Sequence, residues 1–177
     1  KELTEREPQF RVIKGSSAFM GWLGITPGDY DSLRALPNDH KRTEFDRMMN
    51  DLLTKPTEDG KIMLIDAHYF HYKRGEMVDT TGDWMSMFDA LFVVTGETEE
   101  VLKRVLEDTK DRDLFPNSAS VEEQRKLLGS YLEGTIQKAQ EMSKKHGIPF
   151  FNINNVQGTM EEAISAFLDA HAGIINE

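Results

Sequence analysis

Four short, strongly apolar runs are the feature that most constrains how this 177-residue chain can fold. They are FRVI at 10–13, KIMLI at 61–65, ALFVVT at 90–95 and IPFFNI at 148–153. Nearly continuous runs of Ile, Leu, Val and Phe are typical of strands that are buried on both faces of a parallel sheet. The gaps between the runs are long enough for the helical crossovers that parallel strands need. The spacing therefore predicts one α/β domain over residues 1–177, with a doubly wound parallel sheet and helices on both faces.

Helical patterns fill these gaps. Apolar spacing and end signals predict one helix that opens at Pro37, one over 97–106, one over 120–145 and one over 159–171. Thr98 is the expected cap of the second helix, and Ser120 with Glu123 is the expected capping box of the third. The polar stretch from Lys73 to Asp83 predicts a surface loop.

Charge and composition restrict the partners. The net charge is −10, with 21 Lys and Arg against 31 Asp and Glu, which argues against binding to extended nucleic acid. No apolar run approaches the roughly 18 residues of a membrane span, and the chain has no cysteine. The sequence predicts a soluble, cytoplasmic protein without a membrane partner. A small phosphorylated ligand is compatible with this charge, because a few arginines focused in a cleft can bind it.

Asp66 is the first candidate for chemistry. It directly follows the apolar residues of the second run, at the carboxyl end of a predicted strand, where open α/β sheets bind their ligands. A carboxylate in this position of a P-loop protein holds magnesium or its water, whereas a turn aspartate is the structural alternative. His68 lies two residues further on and is a candidate for contact with the substrate. His68 and His71 lack an evident third ligand for a metal site.

Three arginines are candidates for binding phosphate. Arg34 precedes Pro37 on a predicted short helix, and its guanidinium could donate two hydrogen bonds to a monophosphate. Arg104 and Arg112 flank the start of a charged segment, about 107–120, that is typical of a lid closing over a transferring phosphoryl group. The alternatives are an exposed surface arginine and a solvated helix end.

Five segments, in this order, resemble adenylate kinases of the archaeal type and related small nucleotide kinases. The segments are VIKGSSAFM (12–20), DYDSLRALP (29–37), IMLIDAHYFHYKRG (62–75), ALFVVTGETEEVLKRVLEDTKDRD (90–113) and FFNINNVQGTMEEAISAF (150–167). The resemblance spans nearly the whole chain. It implies the P-loop NTPase fold of nucleoside-monophosphate kinases, ATP and Mg²⁺ as cofactors, and phosphotransfer from ATP to a nucleoside monophosphate or similar small acceptor.

The resemblance also implies roles for individual residues. Asp66 would be the Walker-B-like carboxylate near magnesium, and Arg34 would contact the monophosphate. Arg104 and Arg112 would stabilise the transferring phosphoryl group from the lid. The segment beside the adenine of the donor nucleotide would contain Asn155 and Gly158.

Two departures from the family pattern stand out. The phosphate-binding motif GxxxxGK[ST] does not occur in these 177 residues, and in IKGSS the lysine, Lys14, precedes the glycine and follows the wrong strand. The helix after the lid carries Gly134, Thr135 and Ile136 near the place where the family has an asparagine and an arginine. Arg125 is the nearest substitute.

The absence of GxxxxGK[ST] from these residues leads to a prediction about the sheet. The resembled fold has strand order 2-3-1-4-5, and the four runs correspond to strands 2, 3, 4 and 5. The central first strand would then be absent from these residues, and we expect roughly 20–30 residues to precede Lys1. A gap should separate KIMLI from ALFVVT unless another strand fills it.

The sequence is also compatible with two other functions. A non-catalytic nucleotide-binding or regulatory module could keep the fold without the phosphate-binding loop. A protein-interaction domain could use the segment Trp84, Met85, Met87 and Phe88, although large apolar side chains more often belong to the core or to a subunit contact. The acceptor is not identified by the sequence, and a homo-oligomer is compatible with it.

Overall fold

The computed structural model describes residues 2–55, 60–108, 114–155 and 160–175. The chain forms two compact units. The first contains the residues up to His68 together with Gly82–Met87, and the second contains Tyr69–Thr81 together with the residues from Phe88 onward. Both units mix helices with two-stranded sheets, so the predicted α/β class is confirmed. The single-domain organisation stays a prediction.

The first unit is built on a parallel strand pair. Its elements are α1 (Glu2–Arg6), β1 (Phe10–Lys14), α2 (Gly15–Trp22), α3 (Tyr30–Ala35), α4 (Asn38–Thr54), β2 (Ile62–Asp66) and a 3₁₀ helix (Asp83–Met87). Strands β1 and β2 pair in parallel, in a register that runs from Phe10 opposite Ile62 to Lys14 opposite Asp66. The predicted helix forms as α4, and Pro37 occupies its cap position rather than the predicted first turn.

The second unit holds a second parallel pair and a hairpin. Its elements are β3 (Phe70–Lys73), β4 (Glu76–Asp79), β5 (Leu91–Thr95), α5 (Thr98–Glu107), α6 (Val121–His146), β6 (Phe150–Asn154) and α7 (Met160–Ile175). Strands β5 and β6 pair in parallel from Leu91 opposite Phe150 to Thr95 opposite Asn154. The capping box of Ser120 and Glu123 starts α6, and Gly147 follows it with a φ of 70°.

Two local predictions about the second unit are wrong. The stretch from Lys73 to Asp83 is not simply a loop, because β3 and β4 form an antiparallel hairpin there. Its two turn residues, Arg74 and Gly75, have φ of 48° and 86°, and a type I′ turn requires positive φ at both. Thr98 is the first residue of α5 rather than its cap, since Glu97 occupies the cap position.

Strand burial also differs from the prediction. The apolar residues of β2 are half-buried, and Val94 of β5 is 61% exposed. In the described part of the chain each strand has one strand partner, so each strand has one edge without a strand neighbour there. The gap predicted between KIMLI and ALFVVT stays a prediction.

An aromatic cluster forms the core of the first unit. The ring of Phe45 packs edge-on against Phe19 and Trp84, at centroid distances of 5.2 and 5.8 Å. Trp84 Nε1 donates a hydrogen bond of 2.9 Å to Asp46 Oδ1. Trp84 and Met85 are buried and belong to the core, whereas Met87 of the same segment is 40% exposed.

The hairpin docks on one face of α6. The Tyr72 hydroxyl donates a hydrogen bond of 3.0 Å to the carbonyl of Leu127, and its ring lies 4.5 Å from that of Tyr131. At the end of β4, Asp79 Oδ2 lies 2.9 Å from Nζ of Lys138, whose side chain is 13% exposed. Asp79 Oδ1 accepts hydrogen bonds from the backbone N–H and the hydroxyl of Thr81.

This anchor predicts a pH effect. Burial raises the pKa of Asp79, but hydrogen bonds from Lys138 and Thr81 outweigh it and hold the pKa below its usual value. A carboxyl whose pKa is lower in the folded state stabilises the fold above its unfolded pKa of about 4, and this contribution disappears as the pH falls through the folded pKa. The free energy of unfolding should therefore decrease between pH 5 and pH 2 by more in the natural protein than in Asp79→Asn.

The measurement is urea unfolding at a series of pH values. At pH 7 we expect Asp79→Asn to cost about 1–2 kcal/mol, the lower range for a hydrogen bond to a charged group, because Asp79 is 39% exposed. Glu141→Gln is the control, since Glu141 lies 3.6 Å from Lys138 but is 64% exposed. Equal acid sensitivity of the natural protein and Asp79→Asn would contradict the prediction.

None of the helices in the described ranges combines the length and the apolar character that crossing a bilayer requires.

Candidate functional site

The carboxyl edge of the β1–β2 pair carries Asp66. This residue ends β2 opposite Lys14, and both side chains are exposed. Helix α2 begins at Gly15, immediately after β1, and a Cβ atom on Gly15 would lie only 3.1 Å from the Asp66 carbonyl oxygen. Glycine therefore lets the start of α2 pass close to the end of β2. This is the edge at which open α/β sheets bind ligands.

The residues here fit a magnesium ion that is held mainly by phosphates and water. Asp66 offers one exposed carboxylate, and Mg²⁺ typically takes one or two protein carboxylates together with substrate oxygens. Within the described residues no three His, Asp or Glu side chains cluster in a way that could hold a metal by themselves. His68, also exposed, follows two residues later.

Arg34 lies on the short helix α3 of the same unit. Asp29 caps this helix by accepting hydrogen bonds from the backbone and hydroxyl of Ser32. The Arg34 guanidinium lies 3.1 Å from Asp31 of the same helix, and its side chain is half-exposed. In the described ranges it makes no hydrogen bond to Asp66, so its role at the edge of β2 stays a prediction.

A cleft opens at the carboxyl edge of the β5–β6 pair. Its volume is about 430 Å³. The strands, the turn before α5 and one face of α6 line it, with Thr95, Gly96, Glu97, Thr98, Gly129, Leu132, Glu133, Ile136, Asn152 and Asn154. Asn155 lies directly beyond this edge, where its N–H donates a hydrogen bond of 2.7 Å to the Thr95 carbonyl.

Sequence reasoning missed most of the cleft. Thr95 and Asn154 are the last residues of two paired strands, and the Thr95 hydroxyl donates a hydrogen bond of 3.0 Å to Asn152 Oδ1. The available signal was the polar end of each apolar run, because parallel strands place their carboxyl ends together. The four lining residues of α6 gave no such signal before the packing of α6 was known.

The arginines of α5 and α6 pair with nearby carboxylates. Arg104 lies 3.5 Å from Glu100, one turn earlier in α5. Arg125 pairs with Glu99 of α5 and with Glu122 of its own helix. The hydrogen bond to Glu99 is the main cause of the raised pKa of Arg125. Arg125 thus joins the N-terminal part of α5 to the N-terminal part of α6.

Two predicted site residues, Arg112 and Gly158, lie outside the described residues. Asp66 and His68 come together at the end of β2, while Arg104 and Asn155 lie in the second unit. In comparisons with known proteins, the chain matches no family model and no curated protein.

Proposed function

We propose that this protein is a cytoplasmic nucleotide kinase that transfers the terminal phosphoryl group of ATP to a nucleoside monophosphate. One observation carries the proposal. In strand order 2-3-1-4-5, the second strand neighbours the third and the fourth neighbours the fifth. The parallel pairs β1–β2 and β5–β6 join the corresponding runs. Both pairs match this strand order, and together with the resembling segments they support a kinase of this P-loop type.

The proposed residue roles divide between the first unit and the second half of the chain. Asp66 holds Mg²⁺ or one of its waters, and the ion bridges the phosphates of ATP. Arg34 and His68, in the same unit, contact the acceptor. The residues that act on ATP lie in the second half of the chain: Arg104 and Arg112 at the transferring phosphoryl group, and Asn155 and Gly158 beside the base.

The decisive experiment is a phosphotransfer assay. The full-length protein that contains this chain is incubated with ATP, Mg²⁺ and each of the common nucleoside monophosphates, and the products are separated by ion-exchange chromatography. We expect ADP and a nucleoside diphosphate in equal amounts, with EDTA abolishing both. ATP hydrolysis without transfer, or no turnover with any acceptor, would contradict the proposal.

A non-catalytic nucleotide-binding module is the second candidate. The observation that favours it is the absence of GxxxxGK[ST] from these 177 residues, because this loop supplies the backbone donors and the lysine that hold the phosphates. Nucleotide binding by calorimetry without turnover in the full-length protein would support this candidate.

The Asp66 assignment predicts a specific defect. Asp66→Asn keeps the shape of the side chain but removes the negative charge, so its effect should appear in the response to Mg²⁺. Nucleotide affinity should rise on adding Mg²⁺ in the natural protein and rise by at least about tenfold less in the variant, a difference of about 1.4 kcal/mol. Because Asp66 is exposed, the melting temperature should change little.

Asp89→Asn is the matched control, since Asp89 is an exposed aspartate in the turn before β5. Calorimetric titrations with nucleotide, with and without Mg²⁺, compare the three proteins. If the Mg²⁺ response of Asp66→Asn coincides with that of the control, Asp66 is only a turn residue.

A further inference from the structure

The hairpin of β3 and β4 docks along one stripe of α6. The helix residues that receive it follow one another at the three- and four-residue spacing of a single helix face, and they are Leu127, Tyr131, Gly134 and Lys138. Tyr72 contacts the first two, and Asp79 pairs with Lys138. Met77 lies directly opposite Tyr72 in the hairpin and occupies the middle of the stripe, at Gly134.

Gly134 is an interior glycine of α6 that packing explains. Glycine destabilises a helix relative to alanine, because its backbone loses more conformational freedom on folding. A Cβ atom on Gly134 would lie 3.3 Å from both Sδ and Cε of Met77, which is closer than an ordinary van der Waals contact. Glycine therefore leaves room in the helix surface for the thioether of Met77, and we call this place the Gly134 seat.

Met77 is also accessible to oxidants in water. It is 44% exposed, whereas five other methionines of the described chain are buried, namely Met20, Met48, Met49, Met85 and Met142. The 177 residues contain no cysteine, so thioethers are the only sulfur groups that they offer to an oxidant. Peroxides convert exposed methionine into methionine sulfoxide, and reductases reverse this reaction. Met77 therefore combines access to an oxidant with a contact between two elements.

We propose that Met77 is a reversible oxidation site, that hydrogen peroxide is its oxidant, and that oxidation releases the hairpin from α6. A lone pair of Sδ attacks one peroxide oxygen, so an S–O bond forms while the O–O bond breaks. The electron pair of the O–O bond leaves with the second oxygen, which takes the proton of the first and departs as water. Sulfur is oxidised by two electrons and the peroxide is reduced by two. This site does not depend on the proposed kinase function.

The sulfoxide does not fit the Gly134 seat. An oxygen added to Sδ on the helix side would have to enter a contact that is already tight. The backbone N–H groups of a helix interior are already donated to carbonyls four residues earlier, so this oxygen would find no donor there. It gains hydrogen bonds when the sulfoxide turns toward water and leaves the seat. The population of undocked hairpin therefore rises, against the contacts of Tyr72 and Asp79 with α6.

The turn of the hairpin extends this effect beyond α6. The N–H of Gly75 donates a hydrogen bond of 3.0 Å to the carbonyl of Leu114, in the stretch that leads into α6. A Cβ atom on Gly75 would meet the side chains of Leu127 and Pro116 at 3.5 and 3.7 Å, so the turn packs closely against both. Release of the hairpin thus also frees Leu114 and Pro116 from their contacts with the turn.

Tryptic cleavage after Arg74 measures hairpin docking, because Arg74 is an exposed turn residue. The full-length protein is treated with hydrogen peroxide, and peptide mass spectrometry follows the cleavage and the oxidation of each methionine. Met77 should be oxidised before the five buried methionines. Cleavage should become about 5–30-fold faster, since a modest loss of docking free energy multiplies the open population by such a factor. Methionine sulfoxide reductases with dithiothreitol should restore slow cleavage.

Two variants assign the effect to Met77. Met77→Leu keeps a side chain of similar volume but has no sulfur, so its hairpin should dock and its cleavage should not respond to peroxide. Met160→Leu is the matched control, because Met160 is 50% exposed and is the first residue of α7. This control should respond to peroxide as the natural protein does.

Three results would each overturn the proposal. They are oxidation of Met77 that leaves cleavage unchanged, cleavage that stays fast after Met77 has been reduced again, and an equal response to peroxide in Met77→Leu. The reduction experiment uses the natural protein, so it decides the matter even if leucine does not dock at the Gly134 seat.

Discussion

Replacing Gly82 with alanine should lower the free energy of unfolding by about 3–5 kcal/mol. A Cβ atom at this position would collide with Nε1 of Trp84 and would lie 2.6 Å from Oδ1 of Asp46. These two atoms are the donor and the acceptor of the hydrogen bond between α4 and the 3₁₀ helix. Overpacking costs about 1–3 kcal/mol, and a hydrogen bond to a charged group contributes about 1.5–3 kcal/mol. Gly82→Ala should cause both the overpacking and the loss of the hydrogen bond, because the added Cβ meets the donor and the acceptor atoms.

Urea unfolding, followed by circular dichroism, measures this effect. Gly21→Ala is the control within the same unit, because a Cβ on this helical glycine would meet no atom within 4 Å. We expect the control to match or slightly exceed the natural protein in stability. A loss below about 1 kcal/mol in Gly82→Ala, the centre of the range for ordinary substitutions, would show that Trp84 can move aside without breaking its hydrogen bond.

Loss of Arg112 should lower turnover by about 10³-fold if the protein is a kinase of the proposed type, because an arginine that stabilises transition-state charge contributes on that scale. Arg104→Ala should also lower turnover strongly. The free energy of unfolding should change by no more than about 0.5 kcal/mol for Arg104→Ala, since Arg104 is 39% exposed and its described ion pair is with Glu100 of the same helix. Steady-state kinetics and urea unfolding together separate the two effects.

Two control variants make this test specific. Glu100→Gln removes the ion pair of Arg104 but leaves its guanidinium, and Lys103→Ala removes a neighbouring, more exposed cation of α5. Turnover should stay close to that of the natural protein in both. Unchanged turnover in Arg104→Ala and Arg112→Ala would favour the interpretation of this stretch as a solvated helix end.

The sequence predicted the strands well and the hairpin poorly, for different physical reasons. Runs such as ALFVVT and IPFFNI are apolar enough to predict strands from composition alone, and the observed β5 and β6 differ from them by at most two residues at either end. The hairpin has mixed polarity, and its turn uses Arg74 at positive φ, where asparagine or aspartate would have been a recognisable signal. Its stability comes instead from contacts with α6, a helix far along the chain.

The candidate site also has a part that the sequence predicted and parts that it did not. Asp66 could be found because it follows an apolar run directly, so its place at the carboxyl end of β2 depends on local sequence. The cleft could not be predicted, since Gly129 and Asn152 become neighbours only after α6 packs on the β5–β6 pair. Arg125 gave no sign of its pairing with Glu99, because long-range ion pairs leave no periodic pattern in the sequence.

The parallel pairing also governs how this chain can fold. The hairpin joins residues that are close in sequence, such as Lys73 and Glu76, and can form on the timescale of about 1–10 μs typical of hairpins. Strand β1 can pair with β2 only after the intervening chain brings Ile62 next to Phe10. Leu91 of β5 can pair with Phe150 only after the longer intervening chain, which includes α6, has closed. Such distant pairings pay the entropy of loop closure before they gain any contact, so they form slowly. During that delay the apolar strands expose unpaired edges, and refolding yield should fall as protein concentration rises.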